Sequence, residues 1–434
     1  MRVGLPKNWR LTSFREVLVG NVRNGIYKSN EHHGRGAKIV NMGELFAHPR
    51  LRAIPMRRVA ADATEQERFG LRPFDLIFAR RSLVAEGAGK CSIIMEVAEP
   101  TVFESSIIRA RPDTTRADPL FLYYLWSSPV GTNLLRTILR QVAVAGITGK
   151  DLEQLEFVLP PLPEQRAIAG VLGSLDDKID QNRRTAGALE RLARAIFRAW
   201  FVDFEPVKAK AAGATAFPSM PSDVFAGLPS RFVDSEIGAI PEGWKAGKLG
   251  DIASERRDGV QPADIDPATP YIGLEHMPRT SVALHEWEHA GKVTSGKARF
   301  SKNDVLFGKL RPYFHKVGVA PIDGVCSTDI VVMQPKHADW FGLLLGHVSS
   351  DDFVAYTNAA STGTKMPRTN WGDMSRYPIG LPPIDITRRY SGLAESFVEA
   401  IIHGIFESRK LAELRDYLLP RLLSGTVRLN GHAT

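Results

Sequence analysis

Residues 285–289 read His285, Glu286, Trp287, Glu288, His289, an H-E-x-x-H spacing. On a helix, that spacing places two imidazoles one turn apart on one face, able to hold zinc beside a glutamate that activates water. Such a site also needs a third ligand downstream. No glutamate occurs between Glu288 and Glu395. The longer form of the motif would need a glycine where Lys292 stands and a histidine where Ser295 stands. The stretch between Pro278 and Gly291 is too short for a zinc-binding helix and lies between two strand-like runs. The spacing therefore reads as coincidence, with a zinc hydrolase left as the distant alternative.

Other chemistry-bearing patterns fail in the same specific way. In the run 86–92, EGAGKCS, a phosphate loop would need glycine at Val84 and a hydroxyl at Cys91 to reach Mg²⁺. STGTK (361–365) follows no strand-to-helix pattern. Neither G-x-S-x-G nor G-x-G-x-x-G occurs. His32 and His33 sit in a polar loop and read as an exposed pair, not a metal site. LFLYYLWSS (120–128) has the period of a buried helix face, not of a base-stacking strip. No active site can be assembled, which points to a non-catalytic chain with no metal or cofactor of its own.

With 434 residues, 44% of them hydrophobic and 24% charged, the composition suits a soluble protein of two or more domains. No apolar run is long enough for a membrane span, and the first ten residues lack the apolar stretch of a signal peptide. Cys91 and Cys326 lie far apart, with neither a disulfide framework nor a cysteine zinc site. A cytoplasmic location is expected. The formal charge of +8 permits a polyanionic partner. It is uneven: residues 1–159 hold 23 Lys/Arg against 16 Asp/Glu, whereas residues 216–381 hold 17 against 19. The front of the chain could grip phosphates broadly; the later part would need a local basic patch.

The chain repeats itself once. LPKNWRLTSFREV (5–17) aligns with IPEGWKAGKLGDI (240–252), IVNMGEL (39–45) with YIGLEHM (271–277), and FDLIFARR (74–81) with NDVLFGKL (303–310). ESSIIRARP (104–112) aligns with STDIVVMQP (327–335), and LPPL (159–162) with LPPI (381–384). Five matches in one order imply a tandem duplication. Each copy has short β-branched runs with turn signals, then a Pro-Pro stop and a long helix. In the first helix (163–201), Ile168, Leu172, Leu175, Ile179, Asn182, Ala186, Leu189, Ala193, Ile196 and Trp200 alternate at spacings of four and three, a coiled-coil seam. The second helix, from about Ile384 to Leu419, carries Tyr390, Phe397, Ile401, Leu411, Leu414 and Leu418, and Pro420 is expected to end or kink it. If the helices pack antiparallel, Asn182 meets Gly404, where glycine would leave room for the amide. The Ala-, Gly-, Pro- and Ser-rich run 205–232 reads as a linker.

PPLPEQRAIAGVLGSLDDKI (160–179), RAWFVDFEPVKAK (198–210), DSEIGAIPEGW (234–244), DVLFGKLRPYF (304–314) and LRDYLLPRLLSGTVRL (414–429) together resemble the specificity subunit of type I restriction–modification systems, over essentially the whole chain. The resemblance implies an α+β architecture: two mixed α/β target-recognition domains joined by two long helices in an antiparallel coiled coil, with a pseudo-two-fold repeat. The expected boundaries are 1–159 for the first recognition domain, 160–204 for the central helix and 205–235 for the linker. The second recognition domain would occupy 236–381, and the C-terminal helix and tail 382–434. Each recognition domain would read one half of a bipartite site in double-stranded DNA. Two methyltransferase subunits and the restriction-translocase subunits would be the partners. S-adenosylmethionine, ATP and Mg²⁺ would belong to those partners. A specificity subunit of another restriction class, with a combined methylase-nuclease partner, is the nearer alternative.

On this reading, phosphates and base edges would be met by basic and amide side chains near turns. In the second copy these are Lys309, Arg311 and Tyr313 after a strand, and Lys365, Arg368 and Asn370 in a loop. In the first copy they are Arg80 and Arg81, Gln141 and Lys150, and Arg35 and Lys38 in the loop HHGRGAK. Solvated surface charge is the plain alternative for each.

Overall fold

The computed structural model describes residues 8–82, 87–141, 145–363 and 366–429. The chain divides into two compact units, one formed by residues 1–178 with 410–434 and the other by 179–409, so each takes a share of both long helices.

The first long helix spans Leu162–Phe197 and widens into a π turn over Arg198–Val202. The second spans Ile384–Leu423. Pro420 does not end it: the helix continues to Leu423, although proline removes the N–H that would bond the Asp416 carbonyl. Within the second unit the helices run antiparallel. The Tyr390 hydroxyl donates to the carbonyl of Ala193 while Asn182 lies against Gly404, so rising numbers on one helix meet falling numbers on the other. Ala186, Ile401 and Ile405 are buried together there, with Leu189 packed beside them. Ile196 is buried and Phe397 half-buried in that unit's main core, and Ile179 is buried as well. In the first unit, Ile168 and Leu172 are buried with Leu418 against them, and Leu175 and Leu411 are half-buried. Leu414 departs from the expected stripe and is 45% exposed; its neighbour Arg415 turns inward instead, to Asp176.

Asn182 donates to Glu407 Oε2 at 2.8 Å, to Ser408 Oγ at 3.2 Å and, more weakly, to the Gly404 carbonyl at 3.4 Å. A methyl group at position 404 would sit 3.6 Å from the Asn182 Cβ, an ordinary contact. Glycine is therefore not needed to make room; the amide is held by the turn that follows it.

The two units share one topology. In the first, Ile107–Ala110, Leu76–Ala79 and Cys91–Ile94 form an antiparallel core, and His33–Val40 runs parallel to Thr101–Phe103. In the second, Ile330–Pro335, Val305–Gly308 and Val317–Val319 are antiparallel, and Pro270–Ile272 runs parallel to Gly324–Ser327. Phe74 and Asn303 both take a left-handed conformation, φ 70° and 71°, just before the central strand. The next residue, Asp75 or Asp304, is buried and accepts a backbone N–H three residues back, from Arg72 or Ser301, each at 2.8 Å. Two short helices follow in each unit, Pro119–Ser127 and Pro129–Thr137 or Phe341–Val348 and Asp351–Ala359. The first helix of each pair is buried, including Tyr123, Tyr124 and Trp126. Each unit is clasped by an antiparallel pair of strands far apart in sequence, Arg10–Ser13 with Glu156–Leu159 and Lys245–Lys248 with Pro378–Leu381.

The segment 205–235, expected as a linker, is folded. Glu205–Ala211 and Ser222–Gly227 are helical, and Val207, Met220, Phe225 and Leu228 are buried in the second unit's core. A few large apolar side chains anchor it despite the small, turn-forming residues around them.

His347 in the same core packs edge-on to Phe197 at 4.9 Å, and its buried Nε2 meets no partner. Burial holds its pKa down to about 3. An unfolded chain would take up this proton near pH 6.5 and the folded one would not. Stability from this site is thus full above about pH 6.5 and falls between there and pH 3, by at most about 1.4 kcal/mol per pH unit. His347→Leu is expected to flatten the decline in melting temperature between pH 6.5 and 5; an unchanged decline would show that other groups control it.

Candidate nucleic-acid interface

In the second unit, the buried strand Val305–Gly308 delivers Lys309 at its end, and Pro312 opens a short 3-10 turn, Pro312–Phe314. Arg311 and His315 flank that turn, both left-handed at φ 50°. For side chains of this size such backbone costs about 1–3 kcal/mol and persists only where the surroundings enforce it. Here they do. The Arg311 N–H donates to the Pro367 carbonyl at 2.8 Å, the His315 carbonyl accepts from the Thr280 N–H at 2.9 Å, and the His315 ring bonds the Ser349 carbonyl at 3.0 Å. Leu310 bridges to Arg368, and the Thr369 N–H donates to the Lys309 carbonyl at 3.1 Å. The two candidate stretches, distant in sequence, are thereby laced into one surface.

On it, Lys309 is half-buried and Tyr313 is 50% exposed, edge-on to Phe314 at 4.8 Å. Arg311 Nε is enclosed and meets no hydrogen-bond partner among the described residues. Arg368 is ion-paired with Asp329 at 3.1 Å. Asn370 is committed locally: its Oδ1 caps the helix Trp371–Met374 through the Asp373 N–H. Lys365 lies outside the described residues. Sequence reading missed Arg279, whose guanidinium stacks 4.0 Å over the Phe314 ring. Nothing local marks it, because Phe314 lies on a turn 35 residues further along the chain. Lys316 lies in the same field; burial first, then the charge of Arg279, hold its ammonium below the ordinary lysine value.

The first unit builds the same arrangement. Leu76–Ala79 delivers Arg80, whose carbonyl accepts from the Ile147 N–H at 3.0 Å and whose guanidinium reaches the Ser105 carbonyl at 3.3 Å. Arg81–Ser82 pairs with Ala145–Gly146, which pairs with Arg140–Gln141, so the exposed Arg81 and the backbone of Gln141 belong to one small sheet. Lys150 is exposed on Gly149–Glu153, a helix capped by Thr148 as Asn370 caps its counterpart. Arg140, another basic residue missed from sequence, is exposed and paired with Asp151 at 2.7 Å.

Arg35 and Lys38 are not in a loop. Both lie in the strand His33–Val40, which a bulge between His33 and Ala37 irregularly registers. Two left-handed glycines, Gly34 and Gly36, give the sequence a turn-like look while forming the bulge. Arg35 is exposed; Lys38 is largely buried, paired with Glu99 at 3.0 Å and bonded to the Ile54 carbonyl. Lys38 is thus a tie within the fold.

The stretch 285–289 is not helical. Only Glu288–His289 is regular, as a two-residue strand, and His289 bonds the Ala268 carbonyl at 2.9 Å. The two imidazoles therefore do not stand one helical turn apart. Among the described residues, no three His, Cys, Asp or Glu side chains gather around a metal-sized space.

Comparison with known proteins gives these units a lineage. Residues 70–191 match the family model described as type I restriction modification DNA specificity domain. The chain is 24% identical over 327 residues to the MjaIX type I specificity subunit of Methanocaldococcus jannaschii, covering 71% of this chain and 69% of that protein. It is 22% identical over 418 residues to the HindI specificity subunit of Haemophilus influenzae, covering 84% and 89%. The fold resembles the crystal structure of the S subunit from M. genitalium, with a TM-score of 0.57 at 11% identity over 97% and 98% of the two chains. With a duplicated unit, two long helices and a DNA specificity match in the first copy, the chain is similar to the specificity subunits of type I restriction–modification systems.

Proposed function

We propose that each unit reads one half of a bipartite site in double-stranded DNA through the turn that follows its central strand. The two long helices then set the unread spacer and dock two methyltransferase subunits, which a restriction-translocase subunit joins. S-adenosylmethionine, ATP and Mg²⁺ act on those partners. The observation that carries this reading is the repeated basic surface: Arg80 and Arg81 laced to 145–147 in one unit, Lys309 and Arg311 laced to 367–369 in the other. Two equivalent surfaces on equivalent strands suit two half-sites. A stiff helical spacer fixes both their separation and their phase around the duplex.

Lys309→Ala and Arg311→Ala, each in the complex with its methyltransferase partners, test the surface. A phosphate contact would lower affinity for all sequences and reduce the salt slope by about one; a base contact would cost about 1–3 kcal/mol at one position only. Wild-type affinity, salt slope and specificity in both variants would remove this turn from the interface.

A further inference from the structure

The segment 280–289 meets the surface above through the Thr280 N–H, which bonds the His315 carbonyl, and within the second unit it also touches both long helices. On its first-helix side, the buried Glu190 carboxylate accepts from Ser281 Oγ at 2.7 Å and from the N–H groups of Val282 and Ala283, each at 3.2 Å. Four residues along that helix, Arg194 donates to the Thr280 carbonyl at 2.6 Å. On its second-helix side, Trp287 meets the Phe406 ring edge at 5.9 Å and lies beneath the Arg409 guanidinium at 3.9 Å. Between these, Ala283 is buried with Ala186, Ile401 and Ile405. The same segment is joined to the sheet: Ala283 bridges Val319, and the Val319 N–H donates to the Val282 carbonyl at 3.0 Å.

A short irregular segment with a charged clamp at one end and an aromatic–cation clamp at the other resists rotation better than an apolar contact alone, because both clamps are directional. We propose that residues 280–289 bolt the second reading unit to the helix pair and that Trp287 is a positioning residue for the spacer: it fixes the tilt of the strand carrying Lys309, and so the number of unread base pairs accepted. The chance zinc pattern then has its own purpose, carried by its central tryptophan. This inference rests on the bipartite reading proposed above.

The test uses the full chain with its methyltransferase subunits. The wild-type motif is first taken from the pattern of adenine methylation. Methylation rates are then compared on duplexes whose native half-sites are separated by the native spacer, or by one base pair fewer or more. The ratio between spacers is independent of how much protein is folded. Trp287→Ala is expected to reduce discrimination against the wrong spacers about tenfold, the scale of one desolvated cation–π contact, with both half-sites read unchanged. Trp287→Phe, which keeps a ring under Arg409, should restore most of it. If Trp287→Ala does not fold, Arg409→Ala, which leaves the ring in place, should lower the same ratio by a smaller factor. Wild-type spacer ratios in the folded alanine variants, or equal losses in Trp287→Phe and Trp287→Ala, would overturn the proposal. A wild-type motif without an unread spacer would instead overturn the bipartite reading.

Discussion

A fragment ending at Ala214 should form a two-fold dimer and, with methyltransferase partners, methylate a palindrome made of the first half-site twice, inverted about a similar spacer. It keeps the first copy and the first long helix, and loses the second helix together with Leu422 and Leu423, which are buried in the first unit's core. That uncovers Ile179, Ala186 and Ile196, all buried in the intact chain, and the part of the first unit's core that those two leucines fill. Such a seam has a strong drive to pair, and a second copy of the same helix offers the same spacing. Self-pairing gives closed two-fold symmetry. The dimer should be weaker than the native pairing, for two reasons. Asn182 would meet its own counterpart in place of Glu407 and Ser408. The helices would also lose the high effective concentration that a single chain provides. Fragment mass in solution and the motif methylated in cells are the measurements. A folded fragment that stays monomeric at high concentration would refute the repeated-seam reading, and a non-palindromic motif would refute the assignment of one half-site to each unit.

Asp176→Ala is expected to destabilise the first unit by about 3–5 kcal/mol, the usual result of removing one partner from a buried ion pair. Asp176 is 5% exposed, accepts the Tyr124 hydroxyl at 2.7 Å and receives Arg415 at 2.7 Å. Its loss leaves the Tyr124 phenol without its acceptor and leaves Arg415 only the exposed Asp416. The adjacent Asp177 provides the comparison. It pairs with the buried Arg50 and with Arg52, but its own carboxylate is 58% exposed and screened by water, so Asp177→Ala should cost less than Asp176→Ala. Pairing Asp176→Leu with Arg415→Met should recover much of the loss, since an apolar pair avoids the desolvation penalty. Urea midpoints of the four proteins decide it; equal shifts for Asp176→Ala and Asp177→Ala would show that burial does not govern this pair.

The duplication was readable because its matches fall on structural necessities: the apolar core strands, the aspartate that caps the turn before them, and the proline stop ahead of each helix. The seam was readable from spacing alone. What escaped were features set by contacts across long sequence separations. Leu414 yields its place to Arg415 because a buried carboxylate, far away in sequence, lies opposite. The run 205–235 has a linker's composition, and only four buried apolar anchors make it part of a core. In the interface, Lys309 and Arg311 could be chosen because a strand so plainly ends before them. Asn370 was chosen for its amide, which the structure spends on a helix cap, and Lys38 for a charge already paired with Glu99. Arg279 could not be found, because its aromatic partner lies on a turn far along the chain.

The strand pair that clasps each unit has an evolutionary consequence. Lys245–Lys248 and Pro378–Leu381 lie side by side through backbone hydrogen bonds, which depend little on which side chains are present. A genetic crossover within those two short stretches would exchange everything between them while leaving the chain's way in and way out in register. On the proposed reading, the turn after the central strand would travel as one piece with the loops laced to it, and the helices would be inherited untouched. A population of such genes could therefore acquire new specificities by recombination in single steps, with folded chimaeras as the usual product rather than the rare one.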